Sequence, residues 1–231
     1  MKATTSEKIT FAGSQGHTLA ARLERPVDEP RAFALFAHCF TCSKDIFAAT
    51  RIAGELAGHG IAVLRFDFTG LGSSQGDFAN TNFSSNVADL VAAADFLADN
   101  HHAPKILIGH SLGGAAVLAA AASVPSAVAI ATIGAPSDPG HVANLFATAH
   151  EQIESEGEAQ VTLGGRQFKI QKQFVDDISE NNLDGVIAGL KKALLVFHGP
   201  RDETVGIENA GHIFQAAKHP KSFVSLDDAD H

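Results

Sequence analysis

Tyrosine and tryptophan are absent from this 231-residue sequence, which has one methionine and two cysteines. No reaction mechanism here can therefore use a phenol or an indole side chain. Two cysteines cannot build the disulfide framework of a small secreted scaffold, and such scarcity is typical of proteins from a reducing compartment. We therefore expect a cytoplasmic location.

Basic residues are also scarce. Lysine and arginine number 17 against 26 aspartates and glutamates, which gives a formal net charge of −9 with histidine neutral. An electrostatic field of this sign repels phosphate backbones and anionic lipid headgroups. We expect neither a nucleic acid nor a membrane as a partner.

Long hydrophobic runs are missing as well. Residues 1–8 lack the apolar stretch of a secretory signal. The most apolar segment, residues 112–135, is interrupted by glycine, serine and proline, so it does not have the pattern of a transmembrane helix. The content of 45% hydrophobic residues is nevertheless ordinary for a globular core, which excludes a disordered chain.

Two kinds of apolar pattern alternate along the chain. Continuous apolar runs at residues 32–37 and 61–66 predict strands that are buried on both faces. Apolar stripes with helical spacing at residues 45–59 and 82–100 predict amphipathic helices. Further strands are predicted at residues 7–11, 18–22, 105–108, 127–133, 193–198 and 221–226, and further helices at 112–122 and 207–217. This alternation indicates an α/β fold with a mostly parallel sheet, an antiparallel N-terminal hairpin and helices on both faces.

One segment breaks this alternation. Residues 136–191 are more polar, and within them the apolar positions alternate on either side of Gly164-Gly165, which predicts a hairpin with its turn there. An insertion between two sheet strands lies over the C-terminal edge of the sheet, where open α/β folds bind ligands. We expect one domain over residues 1–231, with a core of 1–135 and 192–231 and a lid at 136–191. The alternative is a surface excursion without function.

The pattern G-x-S-x-G occurs at residues 109–113, between a predicted strand and a predicted apolar helix. In this context the turn lifts the serine hydroxyl above the sheet, and Gly109 and Gly113 avoid collisions with the neighbouring strand and helix. Ser111 is therefore the candidate nucleophile. The Leu112 N–H at the helix N-terminus is a candidate donor to an oxyanion.

An activated serine needs a base and an acid that orients it. His231 follows the strand predicted at 221–226, and Asp202 follows the one predicted at 193–198, so both are expected at the same sheet edge as Ser111. Asp228 and Asp230 are too near His231 in sequence to face its ring easily. A second oxyanion donor is expected from the loop after residues 32–37, and the Phe40 N–H is the candidate.

Four segments resemble those of a known family: HCFTCSKD at residues 38–45, RFDFTG at 65–70, GHSLG at 109–113 and SLDDADH at 225–231. Their order is similar to that of the α/β-hydrolase superfamily over essentially the whole chain. More narrowly, they resemble the esterase-like module of bacterial proteins that fuse an α/β hydrolase to a C-terminal OsmC-like domain. Cys39 stands where many hydrolases have glycine.

The resemblance implies a Ser111–His231–Asp202 triad, with Phe40 and Leu112 as the oxyanion hole. It also implies fusion to an OsmC-like, peroxide-handling domain in the full-length protein. We expect a cofactor-free serine carboxylesterase that acts on small, uncharged esters through an acyl-enzyme. Hydrolysis of thioesters, amides or C–C bonds by the same residues remains an alternative.

Two other classes of function compete with hydrolysis. Cys39 and Cys42 form a C-x-x-C pattern before a predicted helix, which is also the arrangement of thiol redox sites. The second class is a non-catalytic module that retains the fold for binding. No spaced set of histidines and cysteines predicts a metal site.

The sequence ends at the candidate base itself. In the α/β-hydrolase superfamily the chain usually continues from this histidine into a final helix, which we expect to be absent here. We therefore expect an exposed apolar groove beside residues 221–226 and a poorly anchored His231.

Overall fold

The computed structural model describes residues 3–163 and 165–231. The strands are β1 (Thr4–Ala12), β2 (Thr18–Pro26), β3 (Ala32–Ala37), β4 (Ile61–Phe66), β5 (Ile106–His110), β6 (Ala129–Ile133), β7 (Glu158–Leu163), β8 (Arg166–Gln171), β9 (Ala193–His198) and β10 (Lys221–Ser225). The helices are α1 (Phe47–Gly58), α2 (Phe83–Asn100), α3 (Leu112–Ala120), α4 (His150–Glu156), α5 (Lys172–Glu180), α6 (Asp184–Ala188) and α7 (Glu208–Ala216), and Phe78–Asn80 and Pro139–Ala149 form 3₁₀ segments. None of these helices is both long enough and apolar enough to span a bilayer, as far as the described residues go.

Eight of the strands form one sheet in the order β1-β2-β4-β3-β5-β6-β9-β10. The first two pairings, β1 with β2 and β2 with β4, are antiparallel, and every later pairing is parallel. The predicted α/β fold with an antiparallel N-terminal hairpin is confirmed. Because the later strands are parallel, their C-terminal ends all lie at one edge of the sheet.

Helices cover the two faces of the sheet unequally. Ala49 and Ala53 of α1 pack on one face against Phe36 and Val63. On the other face α2, α3 and α7 cover a larger core. Helix α3 is apolar around its whole circumference because it is buried between the sheet and its neighbouring helices.

Strand β10 carries exposed apolar side chains, as predicted. Phe223 is 39% exposed and Val224 is 38% exposed. Beside this strand lies an open groove whose partly exposed lining includes Ala129, Ala193 and Leu195. The prediction of an apolar groove at this position is therefore confirmed.

The insertion between β6 and β9 contains the predicted hairpin as β7 and β8. Gly165 has a positive φ of +75°, which favours glycine, while Gly164 of the predicted turn lies outside the described residues. Helices α4, α5 and α6 and the longer 3₁₀ segment complete the insertion. Its aromatic residues Phe146 and Phe174 are buried against each other, so the insertion has its own packed interior.

Candidate active site

Ser111 lies at the sharp turn between β5 and α3. Its backbone adopts φ +55° and ψ −129°, a region that side-chain-bearing residues rarely occupy. Its N–H donates to the Ile133 carbonyl at 2.9 Å, which ties the turn to β6. A Cβ at Gly109 would overlap the Gly113 backbone, and a Cβ at Gly113 would overlap the backbone of β3 and His38. The two glycines therefore let the turn pack this closely.

His231 bridges Ser111 and Asp202. Its Nε2 lies 2.9 Å from Ser111 Oγ, and its Nδ1 lies 2.8 Å from Asp202 Oδ2. A carboxylate accepts only, so Nδ1 donates to Asp202 and Nε2 accepts from the serine hydroxyl. The expectation that His231 is poorly anchored is wrong, because hydrogen bonds hold both of its ring nitrogens.

Asp202 is held rigidly behind this histidine. Its side chain is 1% exposed, and its second oxygen, Oδ1, accepts from the N–H groups of Thr204 at 2.9 Å and Val205 at 2.8 Å. Asp228 is by contrast almost fully exposed and lies 3.6 Å from Arg201. The structure therefore brings Asp202 to the histidine, and not Asp228.

Gly134, directly after β6, also leaves room for this arrangement. A Cβ there would lie 3.1 Å from Asp202 Oδ2 and 3.5 Å from His231 Nδ1. Sequence reasoning did not single out Gly134. The only signal was a glycine immediately after a predicted strand, which is common in turns.

The two candidate oxyanion donors lie beside the serine. Neither the Phe40 N–H nor the Leu112 N–H donates to any other group in the described part of the chain. Phe40 and Leu112 line the same cavity as Ser111 and His231. The position of these two groups fits the stabilisation of an oxyanion.

Phe40 belongs to a tight turn that a disulfide closes. The Cys42 N–H donates to the Cys39 carbonyl at 3.2 Å, and Cys39 and Cys42 are joined by a disulfide. Thr41 inside the turn has a positive φ of +64°. This disulfide was not predicted, because the C-x-x-C spacing is equally compatible with free thiols.

The side chain of Phe40 packs beneath the insertion. Its ring centroid lies 5.5 Å from that of Phe78 and 5.2 Å from that of Phe174 in α5. Phe78 in turn contacts Phe168 of β8 at 5.1 Å. The insertion therefore contacts the turn that carries a candidate oxyanion donor.

Asp67 anchors two loops that border the site. It is fully buried and accepts from the Lys44 N–H at 2.6 Å, from Lys44 Nζ at 2.9 Å and from the Ser73 N–H at 2.9 Å. Burial would lower the pKa of Lys44, but hydrogen bonds to Asp45 and Asp67 outweigh it and raise the pKa above its usual value. Asp67 therefore ties the loop after β4 to the loop after β3.

Two buried histidines next to the site are held neutral. Burial, and secondarily the nearby His231, lowers the pKa of His110 to about 4, and the two rings lie 4.9 Å apart. Burial also lowers the pKa of His38, whose Nδ1 donates to the Cys39 carbonyl at 2.8 Å. At neutral pH neither ring adds positive charge beside the candidate base.

A cavity of about 260 Å³ opens onto Ser111. It is lined by Cys39, Phe40, Cys42, Ser111, Leu112, Pro136, His141, Val142, Leu145, Thr204, Val205 and His231. The insertion contributes Pro136, His141, Val142 and Leu145 to this wall. No group of three or more metal-ligating side chains is found in residues 3–163 and 165–231.

Comparisons with known proteins agree with this fold. The family model described as the alpha/beta hydrolase family matches residues 34–200. The solved esterase domain of a Rhodothermus marinus protein is 51% identical, with 98% of this chain and 90% of that chain covered and a TM-score of 0.79.

Curated relatives match over a shorter region. The mitochondrial palmitoyl-protein thioesterase ABHD10 of Mus musculus is 33% identical over 153 residues, which are 63% of this chain and 50% of the relative. The monoacylglycerol lipase of Mycolicibacterium smegmatis is 26% identical over 143 residues, 61% of this chain and 50% of the relative. The chain thus spans about half the length of the curated relatives it matches. Because the family model covers most of its residues, the chain belongs to the alpha/beta hydrolase family.

Proposed function

We propose that the chain is a serine hydrolase that cleaves small carboxylic esters through an acyl-enzyme. The observation that carries this proposal is the continuous hydrogen-bond chain from Ser111 through His231 to Asp202. The backbone N–H groups of Phe40 and Leu112, which have no partner among the described residues and line the same cavity as the serine, support it. We expect this activity in the cytoplasm and without a cofactor.

Acylation begins with a proton transfer. His231 Nε2 removes the Ser111 hydroxyl proton as Oγ attacks the ester carbonyl carbon, and the carbonyl oxygen becomes an oxyanion. The N–H groups of Phe40 and Leu112 donate to that oxyanion, where charge develops in the transition state. The protonated imidazole then gives its proton to the departing alkoxide, so the alcohol leaves and an acyl-serine remains.

Deacylation uses the same groups in reverse. His231 removes a proton from water, the hydroxide attacks the acyl carbon, and the oxyanion forms again at the same two donors. Collapse of this intermediate returns the proton to Ser111 Oγ and releases the carboxylic acid. Throughout the cycle Asp202 accepts a hydrogen bond from the Nδ1–H group of His231. This bond fixes the tautomer of the ring and stabilises the imidazolium.

The cavity supports a small, uncharged acyl group. Its volume of about 260 Å³ is below the roughly 300–1,000 Å³ that is usual for drug-sized ligands. Its described lining contains no lysine, arginine, aspartate or glutamate, which favours an uncharged substrate. Val142, Leu145 and Val205 supply apolar contacts instead. In this proposal the insertion acts as a lid, and residues 1–231 act as one domain.

Thioester hydrolysis is the second candidate. The similarity to a curated palmitoyl-protein thioesterase favours it, and the same Ser111–His231 pair would attack a thioester carbonyl. C–C bond hydrolysis would use the same residues, whereas thiol redox activity would use Cys39 and Cys42. The fusion to an OsmC-like domain stays a prediction from the resemblance.

Ester turnover by matched variants tests the proposal. We expect wild type to hydrolyse p-nitrophenyl acetate and butyrate, and Ser111→Ala to lose at least about 10³-fold in kcat because no nucleophile remains. Ser123→Ala, a serine that follows α3 and is exposed, is the control and should keep the wild-type rate. Equal rates for wild type and Ser111→Ala would overturn the proposal.

A graded substrate panel separates the two ester classes. Acetyl, butyryl and octanoyl oxygen esters are compared with the corresponding thioesters by kcat/KM. We expect the acetyl and butyryl oxygen esters to be the better substrates. A higher kcat/KM for the octanoyl thioester would favour the thioesterase alternative.

A further inference from the structure

We propose that the Cys39–Cys42 disulfide positions the second oxyanion donor, the Phe40 N–H, so that reduction of this bond slows hydrolysis. The inference rests on the proposed hydrolase function. It assigns the two cysteines a role in that reaction that is distinct from redox catalysis. Its starting point is the position of the bond, which spans the turn that carries Phe40.

The turn contains a residue in an unfavourable conformation. Cys39 and Cys42 occupy the first and last positions of a β-turn, and their Cα atoms lie 5.3 Å apart. Thr41 is the third residue and has φ +64°, a position that favours glycine in a turn of this type. A β-branched residue occupies this region only where the surrounding structure holds it.

Apart from the disulfide, the hydrogen bonds of this turn converge on the Cys39 carbonyl. It accepts from the Cys42 N–H at 3.2 Å and from His38 Nδ1 at 2.8 Å, and Thr41 forms no side-chain hydrogen bond among the described residues. The Phe40 ring is fixed against Phe78 and Phe174, but its backbone continues directly into the strained residue. Without the covalent bond, Thr41 can return to negative φ, which opens the turn and shifts the Phe40 peptide.

The disulfide is poorly suited to a purely stabilising role. It joins residues only three apart in sequence, so it removes little conformational entropy from the unfolded chain. Both cysteines also line the cavity that opens onto Ser111, where a small thiol can reach them. The bond is therefore placed to affect the site rather than to stabilise the whole fold.

The switching reaction is ordinary thiol–disulfide exchange. A thiolate of a dithiol attacks one sulfur, the Cys39–Cys42 bond breaks, and a mixed disulfide forms. The second thiolate of the dithiol then displaces the protein sulfur. The products are two protein thiols and the oxidised dithiol, so two electrons and two protons pass to the protein. An oxidant of the disulfide class reverses the reaction.

The experiment compares oxidised and reduced protein in the absence of free reductant. The protein is reduced with dithiothreitol, desalted under nitrogen, checked for two free thiols and assayed with p-nitrophenyl acetate. We expect kcat to fall by about 10²-fold, the effect of losing one oxyanion donor, with little change in KM. Reoxidation should restore kcat. The double variant Cys39→Ser, Cys42→Ser should show the reduced rate and no response to dithiothreitol.

Thr41→Gly is the discriminating variant. Glycine adopts positive φ without strain, so the turn should keep its shape after reduction and the ratio of oxidised to reduced kcat should fall towards one. Circular dichroism of every sample shows whether it is folded. If reduced Thr41→Gly loses as much activity as reduced wild type, the positioning argument is overturned.

The remaining outcomes separate the inference from the function on which it rests. Ser111-dependent turnover that is unchanged by reduction overturns the inference alone, as does a protein that keeps two free thiols under oxidising conditions. Turnover by the oxidised protein that does not depend on Ser111 overturns the proposed function and the inference with it.

Discussion

At the scale of single residues, His110 shows how burial sets the charge near the candidate base. It directly precedes Ser111, it is buried, and its ring is tilted against that of His231. Its Nδ1 has no hydrogen-bond partner among the described residues. A second positive charge beside a protonated His231 ring would destabilise the charged form of that ring. The low pKa of His110 keeps its own ring neutral, so it adds no such charge.

This low pKa predicts a loss of stability in acid. Unfolded His110 takes up a proton near pH 6.5, whereas the folded protein takes it up near pH 4, so the unfolded state binds more protons between these values. Stability should therefore fall as the pH falls through this window, by on the order of 3 kcal/mol from this group. Urea unfolding of wild type and His110→Gln at pH 7, 6, 5 and 4 measures it. Parallel curves would contradict the prediction.

The candidate site was largely predictable from residue order. Ser111, Asp202 and His231 each follow a predicted strand. Because parallel strands end at one edge of the sheet, the order of the strands already brings these three residues close together. The anchoring of His231 was not predictable, since it depends on the distances to Asp202 and Ser111. The disulfide was also missed, because sequence spacing cannot show whether two sulfurs meet.

At the scale of elements, the insertion is attached to the first turn of α2. Asp177 of α5 accepts from the Ser84 N–H at 2.8 Å and from Ser84 Oγ at 2.6 Å. A carboxylate at a helix N-terminus satisfies a backbone donor that has no partner within the helix and interacts favourably with the helix dipole. This contact fixes the insertion beside the site.

Removing this attachment should loosen the insertion. Asp177→Ala is expected to lower the free energy of unfolding by about 1 kcal/mol and to speed tryptic cleavage at Arg166, Lys169 and Lys172. Asp176→Ala is the matched control, because Asp176 is exposed and forms only a surface ion pair with Lys172. Limited proteolysis followed by mass spectrometry measures the effect. Equal cleavage of the two variants would show that Asp177 does not attach the insertion.

Most elements of the sheet were predictable and most of the insertion was not. Strands β3, β4 and β9 have the predicted bounds, because uninterrupted apolar runs are a strong signal for strands with both faces covered. The hairpin β7–β8 was predictable because apolar positions alternate with polar ones on either side of Gly164-Gly165. Helices α5 and α6 were not delimited, because segments of nine and five residues are too short for the apolar spacing to fix their ends.

At the scale of the whole molecule, the unequal covering of the sheet predicts unequal effects of substitution. Phe223→Ser should lower the free energy of unfolding by only about 1 kcal/mol, because 39% of this residue on the edge strand β10 is already exposed. Leu194→Ala on the neighbouring strand should cost about 2–5 kcal/mol, because Leu194 is 3% exposed. Urea unfolding compares the two variants. A cost at Phe223 equal to that at Leu194 would mean that the edge strand β10 is covered in solution.

The backbone conformation of Ser111 also has an evolutionary consequence. A non-glycine residue at φ +55° costs folding free energy, on the order of 1–3 kcal/mol. Selection for stability alone would therefore favour glycine at this position, so the serine supports the proposed role as nucleophile. In a descendant protein that no longer used this hydroxyl, position 111 should be among the first positions at this edge of the sheet to be substituted.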